Sequence, residues 1–544
     1  MARSLFSSQE VLGSFPAPSY REYQKESLVK IAEGFNSGIR AIIIDAPTGY
    51  GKSLVNTTFC RLAKSFYSTP QLALIDQIRD DTLIGDLFAE IKGRQNYRCA
   101  YDPMATCANG VCYRKKDFKD CRMKQDCPYW IQKIRALDSN AVLCSFSYLI
   151  LEGYTDTAYS FGRRRLLVLD EAHDIDQYVI NHVNLTVSPW TLPKEVFHKV
   201  DKGIVEFKSI WEVRDFIGKV SLACSSIIED YEQTTLTGET LDVEEGKDRR
   251  KAEDFISKVE KFMDLSSKQE WIWEIKYAQT SKGMRKKLVV SPLYARLIMP
   301  DMVWDKADIF IISSATILDA QRFVEETGLD RVMGGDEIMH LKIPSTFPPE
   351  NRPIINRAVG RMTFEKRSKT LPRAVKELQY IIDENPNMNI AVHCHSYNLA
   401  IAIENLVDRS YHLKMIVHTP EDREAALKEW KKSNGKVFLA VAFEEGQDWK
   451  GDICGAQVFF KTPFPDIKER RVQRRLELKD WSWYYLETLR KTIQAYGRAV
   501  RSPTEKKTFY VLDSSFWDLM KRTRGILPEW FKAALPPGWE EIPS

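Results

Sequence analysis

Short apolar runs alternate with helix-length segments along most of this chain. The run at 40–46 is rich in β-branched residues, and it leads through a glycine-containing loop into a segment with helical spacing. Strands buried on both faces have this composition, and strands that alternate with helices form parallel sheets. Similar runs lie at 164–172, 307–315, 389–394, 436–442 and 455–460. The pattern predicts an α/β fold with parallel sheets.

The size and composition of the chain exclude several classes of protein. Its 544 residues exceed what one core holds, so we expect several domains. A chain with 44% hydrophobic and 28% charged residues is neither disordered nor fibrous. No apolar stretch reaches the length of a membrane span, and the first residues lack the apolar middle of a secretory signal. We expect a soluble intracellular protein, either cytoplasmic or in the nucleoid or nucleus, without a membrane partner.

Residues 46–53 fit a nucleotide-binding pattern, GxxxxGK followed by Ser or Thr, with Ala46 in place of the first glycine. The segment lies between a predicted strand and a predicted helix, which is the context that this pattern requires. Backbone amides and a lysine there would hold the phosphates of ATP, and the serine hydroxyl would bind Mg²⁺. The predicted ATP-binding residues of this loop are Thr48, Gly49, Gly51, Lys52 and Ser53.

Asp170 and Glu171 are adjacent carboxylates that begin the sequence DEAH. They follow directly on the run RRLLVL at 164–169. Asp170 is predicted to bind Mg²⁺, and Glu171 to activate the water that attacks the γ-phosphate. Near the end of the chain, Gln494, Arg498 and Arg501 are spaced to share one face of a helix. Arginines from a second domain can neutralise charge on a transferring phosphoryl group. A solvated basic helix face is the alternative for this segment.

These elements occur in the order found in superfamily 2 helicases, and the chain resembles the XPD and DinG family from about residue 20 to about residue 513. In addition to the segments above, the resemblance covers SYREYQ, STPQLALIDQ, SSAT, the position of AVHCHSY, FEEGQDWKGD and QAYGRAVRS. It implies that Arg21 and Gln24 recognise adenine. It also implies that Glu445, Gly446 and Asp448 contribute to the nucleotide site, although AFEEGQD lacks the glycine-rich approach that is usual in the family.

The resemblance implies two RecA-like motor domains with an inserted iron–sulfur domain and an inserted, mainly helical, arch-like domain. The first motor domain is expected at 1–85, 141–185 and 290–345, the iron–sulfur domain at 86–140, the arch-like insertion at 186–289 and the second motor domain at 346–544. The implied activity is that of an ATP-dependent DNA helicase that moves 5′ to 3′ on single-stranded DNA and opens forked duplexes. We expect it to act as a monomer. The pathway, with DNA repair among the candidates, stays open.

Five cysteines, at positions 99, 107, 112, 121 and 127, crowd into 29 residues. Structural zinc sites have close CxxC pairs, and none occurs here, so the wider spacing favours a 4Fe–4S cluster held by four thiolates. The flanking residues KGRQNYRC and CPYW resemble those around the family's first and last ligands, which implies Cys99 and Cys127. The spacing of Cys121 and Cys127 resembles the family's closing pair. For the remaining ligand, Cys112 is preferred to Cys107.

The cysteine segment is basic, with 11 Lys and Arg against 4 Asp and Glu between residues 92 and 135. Six aromatic residues lie among these charges, a combination that is typical of single-strand binding. A second basic run, at 467–479, predicts either a solvated helix face or a surface that lines the DNA path. Two alternatives to a helicase stay open: a nucleic-acid translocase with a structural zinc site, and an ATP-hydrolysing remodelling factor that does not unwind DNA.

Overall fold

The computed structural model describes residues 5–114, 126–152, 160–237, 241–280, 283–441, 449, 453–498 and 503–543. The strands are β1 (Ala41–Asp45), β2 (Ser65–Thr69), β3 (Ala89–Ile91), β4 (Arg98–Cys99), β5 (Asp102–Thr106), β6 (Ala141–Ser145), β7 (Arg164–Asp170), β8 (Leu185–Val187), β9 (Trp271–Thr280), β10 (Gly283–Pro292), β11 (Ala307–Ser314), β12 (Ile338–Lys342), β13 (Ile354–Gly360), β14 (Ile390–His393), β15 (Met415–Ile416), β16 (Val437–Ala440), β17 (Ala456–Phe459) and β18 (Thr508–Asp513). The α-helices are α1 (Ser8–Gly13), α2 (Gln24–Asn36), α3 (Lys52–Leu62), α4 (Leu72–Arg79), α5 (Val111–Arg114), α6 (Pro128–Asp138), α7 (Phe146–Glu152), α8 (Ile175–Val183), α9 (Lys194–Val200), α10 (Ile210–Leu236), α11 (Val243–Leu265), α12 (Met299–Met302), α13 (Ala320–Thr327), α14 (Arg367–Glu384), α15 (Tyr397–Leu406), α16 (Arg409–His412), α17 (Arg423–Lys432), α18 (Arg470–Glu477), α19 (Trp481–Tyr496), α20 (Ser515–Arg522) and α21 (Glu529–Lys532).

The first motor domain is built on a seven-stranded parallel sheet in the order β12-β1-β11-β7-β2-β6-β3. Its central strands are buried on both faces because successive side chains point to opposite sides. Ile43 and Leu167 join the core on one face, whereas Ile42 and Val168 join the core on the other. This two-sided burial explains the continuous apolar runs in the sequence.

The second motor domain contains a six-stranded parallel sheet in the order β13-β18-β17-β14-β16-β15. Val392 and Leu439 face one core, and Ala391 and Phe438 face another. The predicted α/β fold with two RecA-like parallel sheets is therefore confirmed.

Two insertions interrupt the first motor domain, and they touch each other. The cysteine segment leaves β3, forms the β4–β5 hairpin and α5, and returns through α6 to β6. The second insertion contains α9, α10 and α11, and also an antiparallel sheet in the order β8-β10-β9 that the sequence did not predict. Arg250 Nη1 on α11 donates to the Ala108 carbonyl oxygen at 2.7 Å, which joins the two insertions.

The basic run at 467–479 forms α18, and its arginines divide between two faces. Arg475 is fully buried and pairs with Glu326 on α13 of the first motor domain at 2.5 Å and with Asp480 at 3.1 Å. Arg474, its neighbour, pairs with Glu270 at the surface. Part of this run therefore forms a contact between the two motor domains. The predicted roles, a solvated helix face or a surface that lines the DNA path, do not include that contact.

None of the helices in the described part of the chain combines the length and apolar character that crossing a membrane requires.

Candidate active site and cysteine pocket

The predicted phosphate loop connects β1 to α3 and depends on two glycines in the left-handed region. Gly49 and Gly51 have φ angles of 86° and 85°, which few other residues adopt without strain. A Cβ atom on Gly49 would lie 2.1 Å from Phe347 Cζ, so the loop has no room for a side chain there. α3 begins at Lys52, and the amides of its first turn therefore face the cleft beside the loop. This is the geometry of an anion site.

The two residues predicted to recognise adenine contact the backbone of this loop. Arg21 Nη1 donates to the Gly49 carbonyl oxygen at 2.6 Å, and Gln24 Nε2 donates to that of Tyr50 at 2.8 Å. The Gln24 Oε1 atom in turn accepts from the Arg21 amide at 2.8 Å. Arg21 and Gln24 therefore lie beside the phosphate loop and also hold its backbone in place.

The acidic pair lies at the carboxyl end of β7, directly opposite Lys52. Lys52 Nζ is 3.2 Å from Glu171 Oε1. Tyr67 on β2 donates its hydroxyl to Asp170 Oδ2 at 2.7 Å, and Ser313 on β11 donates to Asp170 Oδ1 at 3.1 Å. Glu171 has a φ of 54°, a left-handed backbone conformation that is costly for a residue other than glycine. Such strained residues are concentrated at active sites.

The two carboxylates differ in their electrostatic surroundings. Burial, reinforced by the neighbouring Glu171, raises the pKa of Asp170. Burial also opposes ionisation of Glu171, but Lys52 and His173 outweigh it and lower the pKa of Glu171. Glu171 is therefore the group held as a carboxylate, while Asp170 needs a further cation to be ionised easily.

The second motor domain reaches this site through the end of α19. Gln494 Nε2 contacts His173 Nε2, and it lies 3.5 Å from Thr316 Oγ1. His173 Nδ1 is 2.8 Å from Ser314 Oγ, which ties the histidine to the end of β11. Arg498 is close enough to contribute to the lowered pKa of Glu171.

These residues line one cleft between the two sheets. It brings together most of the predicted nucleotide-site residues: Arg21, Thr48, Gly49, Gly51, Lys52, Ser53, Asp170, Glu171, Gln494 and Arg498. Four predicted residues, Glu445, Gly446, Asp448 and Arg501, lie outside the described residues. Sequence analysis missed two residues of the cleft. Tyr67 donates a hydrogen bond to Asp170, and Trp530 lines the cleft. The sequence held no distinguishing signal for Tyr67, because three other residues of β2 also carry hydroxyl groups.

Four of the five clustered cysteines line a second pocket: Cys99, Cys107, Cys112 and Cys127. Three of them are buried, and Cys112 is half-buried. Cys107, which sequence analysis ranked below Cys112, lies in this pocket, whereas Cys121 lies outside the described residues. Burial, and then the nearby Cys127 thiol, raise the pKa of Cys107 to about 12. Within the described ranges, no three His, Cys, Asp or Glu side chains converge in the arrangement of a metal-ion site.

Aromatic and basic side chains enclose the cysteine pocket. Tyr129 and Trp130 at the start of α6 line it together with Arg94. The Arg94 guanidinium lies 5.0 Å from the Tyr129 ring centroid, which places a positive charge beside the thiols. Buried thiols next to a cation are a suitable environment for an anionic cluster with thiolate ligands.

Models of two known protein families match separate parts of this chain. A family model described as "Helicase C-terminal domain" matches residues 378–534, and one described as "Type III restriction enzyme, res subunit" matches residues 18–191. No curated protein sequence matches the chain.

Solved structures with similar folds include one titled "XPD_Helicase", which is 16% identical with a TM-score of 0.63 and covers 94% of this chain and 98% of its own. Another is Xpd4 of S. tokodaii, which is 13% identical with a TM-score of 0.58 and covers 94% of this chain and 99% of its own. A third, titled "XPD_APO", is 15% identical with a TM-score of 0.55 and covers 91% of this chain and 97% of its own. The match to the helicase C-terminal domain model, together with the architecture of the two motor domains, indicates an ATP-dependent helicase, and the fold of the chain is similar to that of the XPD structures.

Proposed function

We propose that this helicase acts on DNA, moves 5′ to 3′ along one strand, and separates forked duplexes as a monomer in the nucleoid or nucleus. The observation that carries the proposal is the contact between Gln494 and His173 across the cleft. It joins a helix of the second motor domain to the acidic motif of the first. ATP binding and hydrolysis at this cleft would therefore change how the two domains meet, and alternating contacts would move a bound strand.

The proposed hydrolysis of ATP uses residues from both motor domains, one on each side of the cleft. Lys52 and the loop amides bind the phosphates, and Ser53 with Asp170 would hold Mg²⁺. That ion is the further cation that Asp170, with its raised pKa, needs for easy ionisation. Glu171 accepts a proton from the attacking water, which its lowered pKa allows. Arg498 and Arg501 neutralise charge on the transferring phosphoryl group.

The cysteine pocket is proposed to hold a 4Fe–4S cluster, because four thiols, the donor type that such a cluster takes, line one pocket together with Arg94. Cys99, Cys112 and Cys127 were predicted ligands. Cys107 lines the same pocket and is more deeply buried than Cys112, so we propose Cys107 as a ligand in place of Cys112, while the predicted Cys121 lies outside the described residues. When bound, the cluster would cross-link a segment that has little core of its own.

A gate for the displaced strand is proposed where the two insertions meet. Arg250 on α11 reaches the Ala108 carbonyl oxygen, and Arg114 on α5 forms an ion pair with Asp102 beside this junction. A closed contact between the two insertions would leave an opening bounded by the first motor domain. The cysteine segment is basic in sequence, and unpaired charges there would bind the phosphates of a strand.

The test is unwinding of two matched DNA duplexes, one with only a 5′ single-stranded tail and one with only a 3′ tail, by anaerobically purified protein. ATP-dependent displacement should occur with the 5′-tailed duplex alone. Lys52→Ala is the control, since it removes the cationic phosphate ligand, and it should abolish ATP turnover and displacement while DNA binding persists. Displacement of the 3′-tailed duplex alone would contradict the polarity. DNA-stimulated ATP hydrolysis without displacement of either would indicate a translocase or remodelling factor.

A further inference from the structure

An exposed segment that joins β13 to α14 in the second motor domain has no role in the cleft or the cysteine pocket. Residues 363–369 are all exposed, and Phe364 has 86% of its surface accessible to solvent. The Arg367 guanidinium lies 5.9 Å from the Phe364 ring centroid. A single exposed ring is common on protein surfaces, but a ring flanked by cations is the combination that stacks on bases and binds phosphates.

Exposed basic and aromatic side chains continue along one face of α14. Lys369, Arg373, Lys376 and Tyr380 follow one another at spacings of four, three and four residues, so they lie on one face of the helix. Tyr380 is 49% exposed, and Lys376 Nζ lies 5.8 Å from its ring centroid. At a rise of 1.5 Å per residue, this face is about 16 Å long. We call Phe364, Lys366, Arg367 and these four residues the α14 stripe.

The charges of the α14 stripe are not neutralised by the protein. Its five cations form no ion pair with any residue that the structure describes. The three acidic residues of α14 have other partners, because Glu377 and Glu384 pair with Arg357 and Asp383 accepts from the Tyr411 hydroxyl; Glu365, exposed just before the helix, offsets one of the five cations. Positive charge is therefore concentrated on one side of the helix.

We propose that the α14 stripe is an accessory binding site for single-stranded nucleic acid, outside the groove of the motor; this inference rests on the proposed function. Unpaired cations match the phosphates, and exposed rings flanked by cations match the bases. The carboxyl ends of parallel strands share an edge, so Phe364 lies at the same edge as the segment after β14, three strands away. At a strand spacing of about 4.8 Å this separation is roughly 14 Å, within reach of one continuous strand.

The proposal predicts a dependence on oligonucleotide length. Binding of oligo-dT should be measured by fluorescence anisotropy with strands of roughly 8 and roughly 30 nucleotides, the shorter one within the size of a single binding groove. Phe364→Ala should weaken binding of the long strand roughly 5- to 100-fold and leave the short strand unchanged. Arg373→Glu with Lys376→Glu should also weaken only the long strand, and should reduce the salt slope by about 1.4 or more. An oligo-U series distinguishes RNA from DNA.

The matched control is Lys428→Glu with Lys432→Glu, which makes the same charge change on the exposed face of α17. It should leave binding of both strands unchanged, and all variants should retain the wild-type kcat for ATP hydrolysis at saturating DNA, which verifies folding. Unaltered long-strand binding in the stripe variants, or equal loss in the α17 control, would overturn the accessory site while the helicase assignment stands. A wild-type protein that binds neither strand would overturn both.

Discussion

At the scale of single residues, Tyr67 shows how the acidic motif is organised. Its hydroxyl donates to Asp170 from the neighbouring strand, while Ser313 binds the other carboxylate oxygen. With both oxygens oriented, Asp170 cannot rotate freely, and a Mg²⁺ ion would meet a fixed ligand. The sequence identified Asp170 because strand and motif are local patterns. Tyr67 is 103 positions away, and only the strand order brings it there.

The fourth ligand of the cysteine pocket can be decided by iron content. Cys107→Ser should lower iron and acid-labile sulfide in anaerobically purified protein, because Cys107 lies with Cys99 and Cys127 in one pocket. Cys112→Ser should retain both, because Cys112 is only half-buried. Cys224→Ser, a buried cysteine on α10, serves as the control for loss of a core thiol. Full iron in Cys107→Ser together with loss in Cys112→Ser would restore the ligand set predicted from sequence, and zinc without sulfide would exclude a cluster.

At the scale of elements, α18 contains a buried arginine whose removal should be costly. Arg475 pairs with Glu326 and Asp480, and its guanidinium lies 4.4 Å from the Trp483 ring centroid. Arg475→Met removes the buried hydrogen bonds to Glu326 and Asp480 and leaves both carboxylates to Arg322, so the free energy of unfolding should fall by about 1.5–3 kcal/mol. Denaturant unfolding followed by tryptophan fluorescence would measure this change.

The adjacent Arg474→Met is the control for this experiment. Its pair with Glu270 is exposed to solvent, so its loss should cost below about 1 kcal/mol. Equal effects of the two substitutions would mean that the Arg475 pairs contribute no more than surface charges.

Burial separates many of the strands found from the sequence from those missed, but not all, because β2 and β6 are fully buried and neither was recognised as an apolar run. β1, β7, β11, β14, β16 and β17 are central or fully buried, and each appeared as an apolar run. β12 is an edge strand whose residues are half-exposed or exposed, and β3 has three residues. β9 mixes charged and apolar residues, and in β10 three charged residues at 285–287 precede three apolar ones, so their order depends on pairing with each other. Local composition cannot reveal strands that depend on a distant partner.

At the scale of the whole molecule, the cleft is completed only when the two motor domains meet. Gln494 is the described residue of the second domain that contacts the DEAH histidine. Gln494→Ala should lower the kcat of DNA-stimulated ATP hydrolysis by on the order of 10²-fold through misplaced catalytic groups. The KM for ATP should change little, because the phosphate loop belongs to the first domain.

Steady-state kinetics with Lys491→Ala as the control would separate these effects. Lys491 is exposed on the same helix and should tolerate alanine. An unchanged kcat in Gln494→Ala, or a rise in KM that accounts for the whole loss, would argue against coupling through this contact.

The position of the cysteine segment bears on how the protein matures. The segment leaves the sheet after β3 and returns through α6 to β6, and these two strands are neighbours in the sheet. Both of its ends are therefore anchored by ordinary strand pairing that needs no cysteine. The sheet can form during synthesis while the segment is still open, and the proposed cluster would be loaded afterwards. With a cluster, maturation would have two separable stages, and the second could fail without misfolding of the first.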